Sequence, residues 1–318
     1  MSSSSSGGAS AAAPEQARRA AVIGLGSMGA GMAMALLRGG LEVAGYDVAQ
    51  AAIDKFAAVG GRGAASPAEA ASGAGIVVSV VVNAAQTEAI LFGPDGVAEA
   101  MPESAVFVSS ATMDPDVARR LAQRLEAMGR LYLDAPISGG AQRAAEGALT
   151  ILASGSHEAF AKAKPALDAM AAKLYQLGDA PGQGAAFKMI NQLLAGVHIA
   201  AACEAIAFAA KQGLDIKKVY EVITASAGNS WMFENRVPHV LEGDYTPRSA
   251  VEIFVKDLGI IQDMARSARF PVPVSAAALQ MFLATAGAGM GRDDDASVAR
   301  LYARITGTKL PGEPANSN

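Results

Sequence analysis

Residues 20–47, AAVIGLGSMGAGMAMALLRGGLEVAGYD, decide the fold of this chain. The apolar run at 20–23 predicts a buried strand, and the turn GLGSMG at 24–29 follows it directly. Apolar residues then recur at helical spacing, so the glycines lie where a strand turns into a helix. A second predicted strand, 41–46, ends in Asp47. Strand, glycine turn, helix and terminal acid in this order predict a dinucleotide-binding βαβ unit.

Each part of this unit has a predicted task in holding NAD. Gly24 permits the tight turn, Gly26 lets a pyrophosphate approach the backbone, and Gly29 lets helix and strand pack closely. The helix N-terminus supplies free N–H groups and a partial positive charge for the phosphates. Asp47 can accept a hydrogen bond from a ribose 2′-hydroxyl and would repel the 2′-phosphate of NADP. The predicted cofactor site comprises Gly24, Leu25, Gly26, Ser27, Met28, Gly29 and Asp47.

Composition excludes several classes of protein. The 318 residues suggest two domains, and 51% of them are hydrophobic, enough for substantial cores. The net charge is −4 and no run of lysine or arginine occurs, so we expect neither nucleic acid nor a membrane surface as a partner. No run of 18 uncharged apolar residues occurs, so no membrane span is expected. The single cysteine, Cys203, excludes an intrachain disulfide and fits a reducing compartment, here the cytoplasm.

Strands and helices continue to alternate up to about residue 180. The β-branched run at 76–82 is typical of a parallel strand covered on both faces. The pattern predicts a Rossmann-like doubly wound sheet with ligand sites at the carboxyl ends of its strands. The further predicted strands are 105–110, 131–135, 149–153 and 174–177, with helices notably at 114–128 and 157–171.

Beyond residue 180 the pattern changes to helices alone. Residues 185–212 predict one long central helix of roughly 40 Å at 1.5 Å per residue. Between Lys188 and Lys211 its one formal charge is Glu204, and a helix so apolar must be buried on several sides. We therefore expect a homodimer or homotetramer in which a second subunit covers the remaining face. The further predicted helices are 216–225, 249–267, 274–286 and 296–305.

These patterns divide the chain into four parts. The segment 1–19 is low in complexity and predicts a disordered extension, and residues 20–180 predict an NAD-binding domain. Residues 181–306 predict an all-α domain for substrate and oligomerisation, and 307–318 a disordered tail.

Three stretches outside the glycine turn contain candidate functional residues: the loop at 138–140, the pair Lys256–Asp257, and Lys188 with its neighbours. Ser138, Gly139 and Gly140 follow a strand and offer a hydroxyl and backbone N–H groups, which suits a carboxylate. An ordinary glycine turn is the alternative interpretation. The pair Lys256–Asp257 interrupts an apolar helix, and such a pair in isolation is usually a solvated face. The histidines are scattered and the acidic run at 293–295 fits a helix cap, so no metal site is predicted.

Lys188 is the most unusual of these residues, because it begins an apolar helix. A buried ammonium is costly unless it is paired or its pKa is lowered, and a lysine of lowered pKa can act as acid or base on a substrate hydroxyl. Asn191 and Gln192 lie on its face of the helix and can bond the same ligand. The alternative is a lysine that snorkels out to solvent.

Four segments in order resemble the β-hydroxyacid dehydrogenase family, to which 3-hydroxyisobutyrate dehydrogenase belongs: GLGSMG at 24–29, DAPISGGAQRAAEG at 134–147, GAAFKMINQLL at 184–194 and VKDLGI at 255–260. The resemblance covers residues 20–306. It implies that Lys188 is the catalytic acid/base and that Ser138, Gly139 and Gly140 hold the substrate carboxylate. It also implies that Thr112 and Lys256 lie near the cofactor, to which we add Val82 and Asn83.

Two further segments, VVNAAQTEAILF at 81–92 and GNSWMFENR at 228–236, are more similar to the branch that acts on L-threonate. Gln192 stands where many members have asparagine, and Ala111 stands where a serine is usual, which disfavours 3-hydroxyisobutyrate. Trp231 and its neighbours have two interpretations. They can be core residues at a helix corner, or they can line a pocket in which Asn235 forms hydrogen bonds with the additional hydroxyls of threonate.

The expected activity is NAD-dependent oxidation of a small hydroxy acid, foremost L-threonate to its 2-oxo acid. The alternatives are 3-hydroxyisobutyrate or 2-hydroxy-3-oxopropionate as substrate, an imine reductase, or a nucleotide-binding protein without catalysis. Lys188 argues against the last two, and a carboxylate-binding loop would be unnecessary in an imine reductase.

Overall fold

The computed structural model describes residues 18–312 and divides into two units. Within the described residues, the first unit comprises 18–111 and Arg119–Pro181, and the second comprises Thr112–Ala118 and 182–312. Of the predicted extension 1–19, residues 1–17 lie outside the described part, whereas Arg19 already belongs to the first strand.

The first unit is built on a six-stranded parallel sheet in the order β3-β2-β1-β4-β5-β6. Its strands are β1 (Arg19–Ile23), β2 (Glu42–Tyr46), β3 (Arg62–Gly63), β4 (Ile76–Ser79), β5 (Val106–Ser109) and β6 (Leu131–Asp134). The central strands β4 and β5 are buried at every position, as expected for strands covered on both faces. The sheet therefore has the Rossmann order, with its strand order reversing between β1 and β4.

Helices follow the strands of this sheet. They are α1 (Ser27–Arg38), α2 (Gln50–Ala58), α3 (Pro67–Ala71), α4 (Ala84–Phe92), α5 (Val97–Ala100), α6 (Pro115–Glu126), α7 (Gly140–Glu146) and α8 (His157–Met170). The strand predicted at 76–82 ends earlier, at Ser79, because Asn83 caps α4 by accepting from the Gln86 amide. Residues 80–83 consequently form a turn at the carboxyl edge of the sheet.

A separate three-stranded sheet completes the first unit. It contains β7 (Ile137–Ser138), β8 (Leu149–Ala153) and β9 (Ala171–Gln176), with β7 antiparallel and β9 parallel to β8. The prediction that 149–153 and 174–177 extend the doubly wound sheet is therefore wrong. The chain reverses after β6, where Asp134 pairs antiparallel with Ser154, and β8 alternates buried with half-buried residues instead of being buried throughout.

The second unit is helical. Its helices are α9 (Gln183–Lys211), α10 (Ile216–Thr224), α11 (Trp231–Glu242), α12 (Val251–Ser267), α13 (Pro273–Thr285) and α14 (Val298–Thr306), with a π-helical turn at Ala286–Met290 and a 3₁₀ turn at Asp295–Ser297. The buried side of α9 packs against the other five helices and forms the core with them. Helix α11 was not predicted as a helix, although Ser230 caps it by accepting from the Phe233 amide.

The prediction of a disordered tail from residue 307 is wrong for residues 307–312. Leu310 is buried in the core of the second unit, and the Tyr245 hydroxyl donates to the Pro311 carbonyl over 3.3 Å. Burial of this leucine holds the segment in place. Residues 313–318 lie outside the described part of the chain.

Two helical segments, α9 and Pro273–Met290, are long and apolar enough to cross a membrane by length and composition. The rule of 18 uncharged apolar residues misses them because polar residues such as Asn191 and Gln192 interrupt α9. One side of α9 lies in the core of the second unit, an arrangement that core helices of water-soluble proteins share.

Candidate active site

The glycine turn between β1 and α1 has the geometry that a dinucleotide requires. Gly24 adopts φ +95°, and a Cβ there would lie 2.4 Å from the Val80 carbonyl oxygen. A Cβ on Gly29 would lie 1.8 Å from the Gly24 carbonyl oxygen, so helix and strand touch at this point. A Cβ on Gly26 would meet nothing within 4 Å. The outer glycines are therefore required by packing, whereas the middle glycine leaves open space beside the backbone.

The N-terminus of α1 is suited to receive an anion. Gly26 is the N-cap and provides no side-chain cap, and the first bond of the helix runs from the Ala30 amide to the Gly26 carbonyl. The amides of the first turn consequently point out of the helix without intrahelical partners. Together with the space beside Gly26, these amides fit the phosphates of a bound dinucleotide.

Asp47 lies at the end of β2 and is fixed against the glycine turn. Its Oδ2 accepts from the Leu25 amide over 2.7 Å, and its Oδ1 accepts from the Ala49 amide over 2.8 Å. Each carboxylate oxygen can accept more than one hydrogen bond, so a ribose hydroxyl can still donate to it. The carboxylate thus has a defined position and retains capacity for a ligand.

Val82 and Asn83 lie in the turn after β4. The Val82 side chain is half exposed, and its amide donates to Gln86 Oε1 over 2.9 Å. The Asn83 side-chain oxygen accepts from the Gln86 amide over 2.9 Å. Asn83 therefore caps α4 and fixes the point at which this helix begins, at the carboxyl edge of the sheet.

The Ser138-Gly139-Gly140 loop joins β7 to α7. Ser138 is half-buried and pairs with Thr150 of β8, while Gly139 and Gly140 adopt φ +137° and +77°. Both angles lie in the left-handed region, where a side chain is strained. A Cβ on Gly140 would meet nothing within 4 Å, so a ligand can approach the backbone here. Glycine adopts these angles without strain, so the binding of a carboxylate by this loop stays a prediction beside an ordinary glycine turn.

Lys188 lies in the second turn of α9 and is only 7% exposed, so it does not snorkel to solvent. The nearby acid is Asp257 of α12, which is 1% exposed. Lys256 Nζ lies 2.6 Å from Asp257 Oδ1 and donates to the Thr112 carbonyl over 3.1 Å. Lys188, Lys256, Asp257 and Thr112 thus belong to one polar cluster of the second unit.

Gln192 and Asn191 extend this cluster. Gln192 Nε2 donates to Asp257 Oδ2 in a short hydrogen bond, and Gln192 Oε1 accepts from Asn191 Nδ2 over 2.9 Å. The Gln192 amide is 7% exposed and uses both its ends inside the protein. Gln192 therefore orients Asp257, whereas Asn191 is exposed and its side-chain oxygen can still accept from a ligand.

Burial lowers the pKa of Lys188 to about 8. The negative charge of Asp257 raises this pKa, and the positive charge of Lys256 lowers it. An amine with this pKa exchanges protons readily near neutral pH. The cluster can therefore accept a proton from, or return it to, a hydroxyl placed beside Lys188.

Asp257 is the functional candidate that the sequence interpretation missed. A Lys–Asp pair in isolation is usually a solvated face, but Asp257 is buried here. The signal was present in the spacing: Asp257 lies three residues after Phe254 and four before Ile261, on the same face as these buried residues. A carboxylate on the apolar stripe of a helix implies a buried partner.

Asn235 and Trp231 lie apart from this cluster in the hydrogen-bond network. Asn235 is exposed on α11, and its side-chain oxygen accepts from the Arg236 guanidinium. Between residues 18 and 312, no hydrogen bond or ion pair joins Asn235 to Lys188 or Asp257. Met232 and Phe233 are buried as core packing predicts, but Trp231 is 54% exposed, so that interpretation is wrong for the tryptophan.

Comparisons with known proteins cover both units. The family model "NAD binding domain of 6-phosphogluconate dehydrogenase" matches residues 19–178, and "NAD-binding of NADP-dependent 3-hydroxyisobutyrate dehydrogenase" matches residues 182–302. L-threonate dehydrogenase of Cupriavidus necator is 53% identical over 93% of this chain and 99% of its own length. L-threonate dehydrogenase of Haemophilus influenzae is 46% identical over 93% of this chain and 97% of its own length.

A solved structure shows the same fold. The crystal structure of 3-hydroxyisobutyrate dehydrogenase from Salmonella typhimurium matches with a TM-score of 0.85 and 48% identity, over 89% of this chain and 99% of that chain.

Proposed function

The chain belongs to the β-hydroxyacid dehydrogenase family, and from this premise we propose that it oxidises L-threonate to its 2-oxo acid with NAD. That it is an NAD-dependent dehydrogenase of a small hydroxy acid follows from the family itself. The choice of L-threonate is supported by relatives of that name that match almost end to end. The observation that carries the chemistry is the buried Lys188 with a pKa of about 8.

Lys188 is proposed as the general acid/base. A bound NAD would supply the acceptor for the hydride of the carbon that bears the substrate hydroxyl. Neutral Lys188 Nζ takes the proton from that hydroxyl, and the resulting ammonium is stabilised by the negative charge of Asp257. Gln192 acts through Asp257, which it holds by a hydrogen bond, so it is proposed as a positioning residue. That Gln192 also bonds the substrate directly stays a prediction, since its amide can form further hydrogen bonds.

Substrate recognition is proposed for the Ser138-Gly139-Gly140 loop and for α9. Ser138, Gly139 and Gly140 are proposed to bind the substrate carboxylate, the serine through its hydroxyl and the glycines through backbone N–H groups. Asn191 is proposed to bond a substrate oxygen or hydroxyl, since its side chain is exposed. Asn235 is proposed to bond a hydroxyl that 3-hydroxyisobutyrate lacks.

The cofactor is assigned to the glycine turn and the residues around it. The first-turn amides of α1 would hold its phosphates, and Asp47 would accept from a ribose hydroxyl. Val82, Asn83, Thr112 and Lys256 are proposed as further cofactor contacts. A cytoplasmic homo-oligomer without nucleic-acid or membrane partners completes the proposal.

A second substrate has one observation in its favour. The solved structure at 48% identity is described as a 3-hydroxyisobutyrate dehydrogenase. The two substrates differ in chemistry, since threonate bears additional hydroxyls and 3-hydroxyisobutyrate a branch methyl. A pocket built for the hydroxyls rejects a substrate that leaves its polar groups unpaired.

The test is a panel of L-threonate, 3-hydroxyisobutyrate, 2-hydroxy-3-oxopropionate and a cyclic imine, each assayed with NAD(H) and NADP(H). We expect the highest kcat/KM for L-threonate with NAD. Equal turnover of 3-hydroxyisobutyrate would overturn the substrate assignment and leave the family activity standing. Reduction of the imine in preference to the acids would overturn the hydroxy acid reaction itself.

A further inference from the structure

Arg143 lies in the first turns of α7, directly beside the Ser138-Gly139-Gly140 loop. A Cβ on Gly139 would lie 2.9 Å from Arg143 Cδ and 3.1 Å from Arg143 Cβ, so the stem of the arginine packs on the backbone of Gly139. The guanidinium is joined to Cδ through Nε. The contact of the stem therefore holds the positive charge of Arg143 at the loop.

The helix that carries Arg143 is fixed within the first unit. A Cβ on Gly31 of α1 would lie 2.7 Å from the Ala145 amide nitrogen, so α1 and α7 touch at their backbones. Ala144 is fully buried, and the Arg38 guanidinium donates to the Ala145 carbonyl at the end of α7. Arg143 consequently projects from a backbone of defined position, and less conformational freedom is lost when its side chain binds a ligand.

The guanidinium of Arg143 is exposed and unpaired. Across residues 18–312 no hydrogen bond or ion pair engages it. Glu146, three residues further along the helix, is at the spacing at which an acid pairs with an arginine. Glu146 instead accepts from Gln142 Nε2 over 3.0 Å. An exposed arginine alone indicates no site, but this one has its stem fixed to the loop and all five of its N–H donors available.

Without this arginine the loop offers a carboxylate neutral donors only. Ser138 provides a hydroxyl, and Gly139 and Gly140 provide backbone N–H groups. A hydrogen bond between an ionised donor and a carboxylate is roughly twice as strong as a bond between neutral groups. The planar guanidinium also matches the spacing of the two oxygens of one carboxylate. Arg143 thus supplies a charge and a geometry that the loop itself lacks.

We propose that Arg143 binds the carboxylate of the hydroxy acid and thereby selects anionic substrates over neutral ones. This role rests on the proposed function, since it is there that the carboxylate is assigned to the Ser138-Gly139-Gly140 loop. An acid gains an ion pair with Arg143, whereas its amide does not. The carboxylate takes no part in hydride transfer, so the ion pair stabilises bound substrate and transition state alike and lowers KM without raising kcat.

The test compares L-threonate with its uncharged amide, L-threonamide, which is measured as a substrate or as a competitive inhibitor. We expect Arg143→Gln to raise KM for L-threonate by roughly tenfold or more, because a hydrogen bond between charged groups is lost, with kcat little changed. The binding of L-threonamide and the Kd of NADH should stay as in the wild type. Arg120→Gln is the matched control, because Arg120 is exposed on α6, and it should leave all four quantities unchanged.

The dependence on ionic strength separates the charge of Arg143 from its packing. Salt screens an exposed ion pair, so KM of the wild type for L-threonate should rise between about 20 and 500 mM NaCl. Arg143→Gln should reduce this rise. Arg143→Lys keeps the charge but not the planar fork, so it should restore the rise with a KM between those of the wild type and Arg143→Gln. Circular dichroism establishes that each variant is folded.

Two results would overturn the role of Arg143. One is an unchanged KM for L-threonate in Arg143→Gln, and the other is an equal loss of binding for L-threonate and L-threonamide, which would show that the substitution displaces the loop. Ser138→Ala distinguishes this failure from failure of the loop assignment. If Ser138→Ala raises KM and Arg143→Gln does not, the loop still binds the carboxylate and only the role of Arg143 is lost. If neither raises KM, the carboxylate binds elsewhere and both assignments are lost.

Discussion

The lowered pKa of Lys188 makes a prediction about the pH dependence of turnover. Burial lowers its pKa from 10.5 to about 8. At pH 7 the neutral amine is then roughly 300 times more abundant than for an ordinary lysine. The neutral fraction of Lys188 rises from about one tenth at pH 7 to about nine tenths at pH 9. Because oxidation requires the neutral base, kcat/KM, which reports the pKa of the ligand-free enzyme, should rise about tenfold over this interval.

The assay is kcat and kcat/KM for L-threonate oxidation by NAD between pH 6.5 and 9.5, in the wild type and three variants. Lys188→Ala should lower kcat roughly a hundredfold or more, remove the rise near pH 8 and leave NADH affinity nearly unchanged. Lys188→Arg should not restore activity, because a guanidinium does not lose its proton in this range. Lys217→Ala, an exposed lysine of α10, is the control and should behave as wild type.

Two results would refute this reasoning. A kcat/KM that stays flat between pH 7 and pH 9, with turnover retained in Lys188→Ala, would show that the lysine takes no part in proton transfer. Loss of NADH binding together with turnover in Lys188→Ala would give the lysine a structural role instead.

Three further predictions test other parts of the molecule. First, kcat/KM should favour NAD over NADP, and more strongly at low salt, because Asp47 repels the 2′-phosphate of NADP. Asp47→Asn should reduce this preference, and equal use of both cofactors by the wild type would contradict the prediction. Second, L-threonate should exceed 3-hydroxyisobutyrate by on the order of a hundredfold or more in kcat/KM, and Asn235→Ala should narrow the gap. Third, Arg236→Leu should destabilise the protein by about 3–5 kcal/mol in urea denaturation, because Arg236 Nε pairs with the buried Asp295 at 2.6 Å. Burial raises the pKa of Asp295 to about 6, and loss of the arginine raises it further. The stability lost in Arg236→Leu should therefore be larger at pH 8, where the carboxylate is charged in the wild type, than at pH 5. Equal losses at the two pH values would show that Asp295 does not titrate in this range.

Much of the architecture is already determined by local features of the sequence. The glycine turn is recognisable because its requirements are local: Gly24 needs a positive φ, and Gly29 touches a residue five positions away. The long helix α9 is recognisable because one apolar sequence runs through it. Lys188 was a candidate for the same reason, since a charge in an apolar helix has a cost that is visible without the fold.

Tertiary structure alone decided which of these charges are buried and what they contact. Gln192 and Asp257 are 65 positions apart, and their hydrogen bond, which defines the polar cluster, follows from the packing of α9 on α12. The same dependence on distant partners explains why Leu310 is buried where disorder was predicted and why Trp231 is exposed where a core residue was expected. Local sequence sets backbone conformation and helical period, but burial, and with it the pKa of Lys188, depends on what packs against each face.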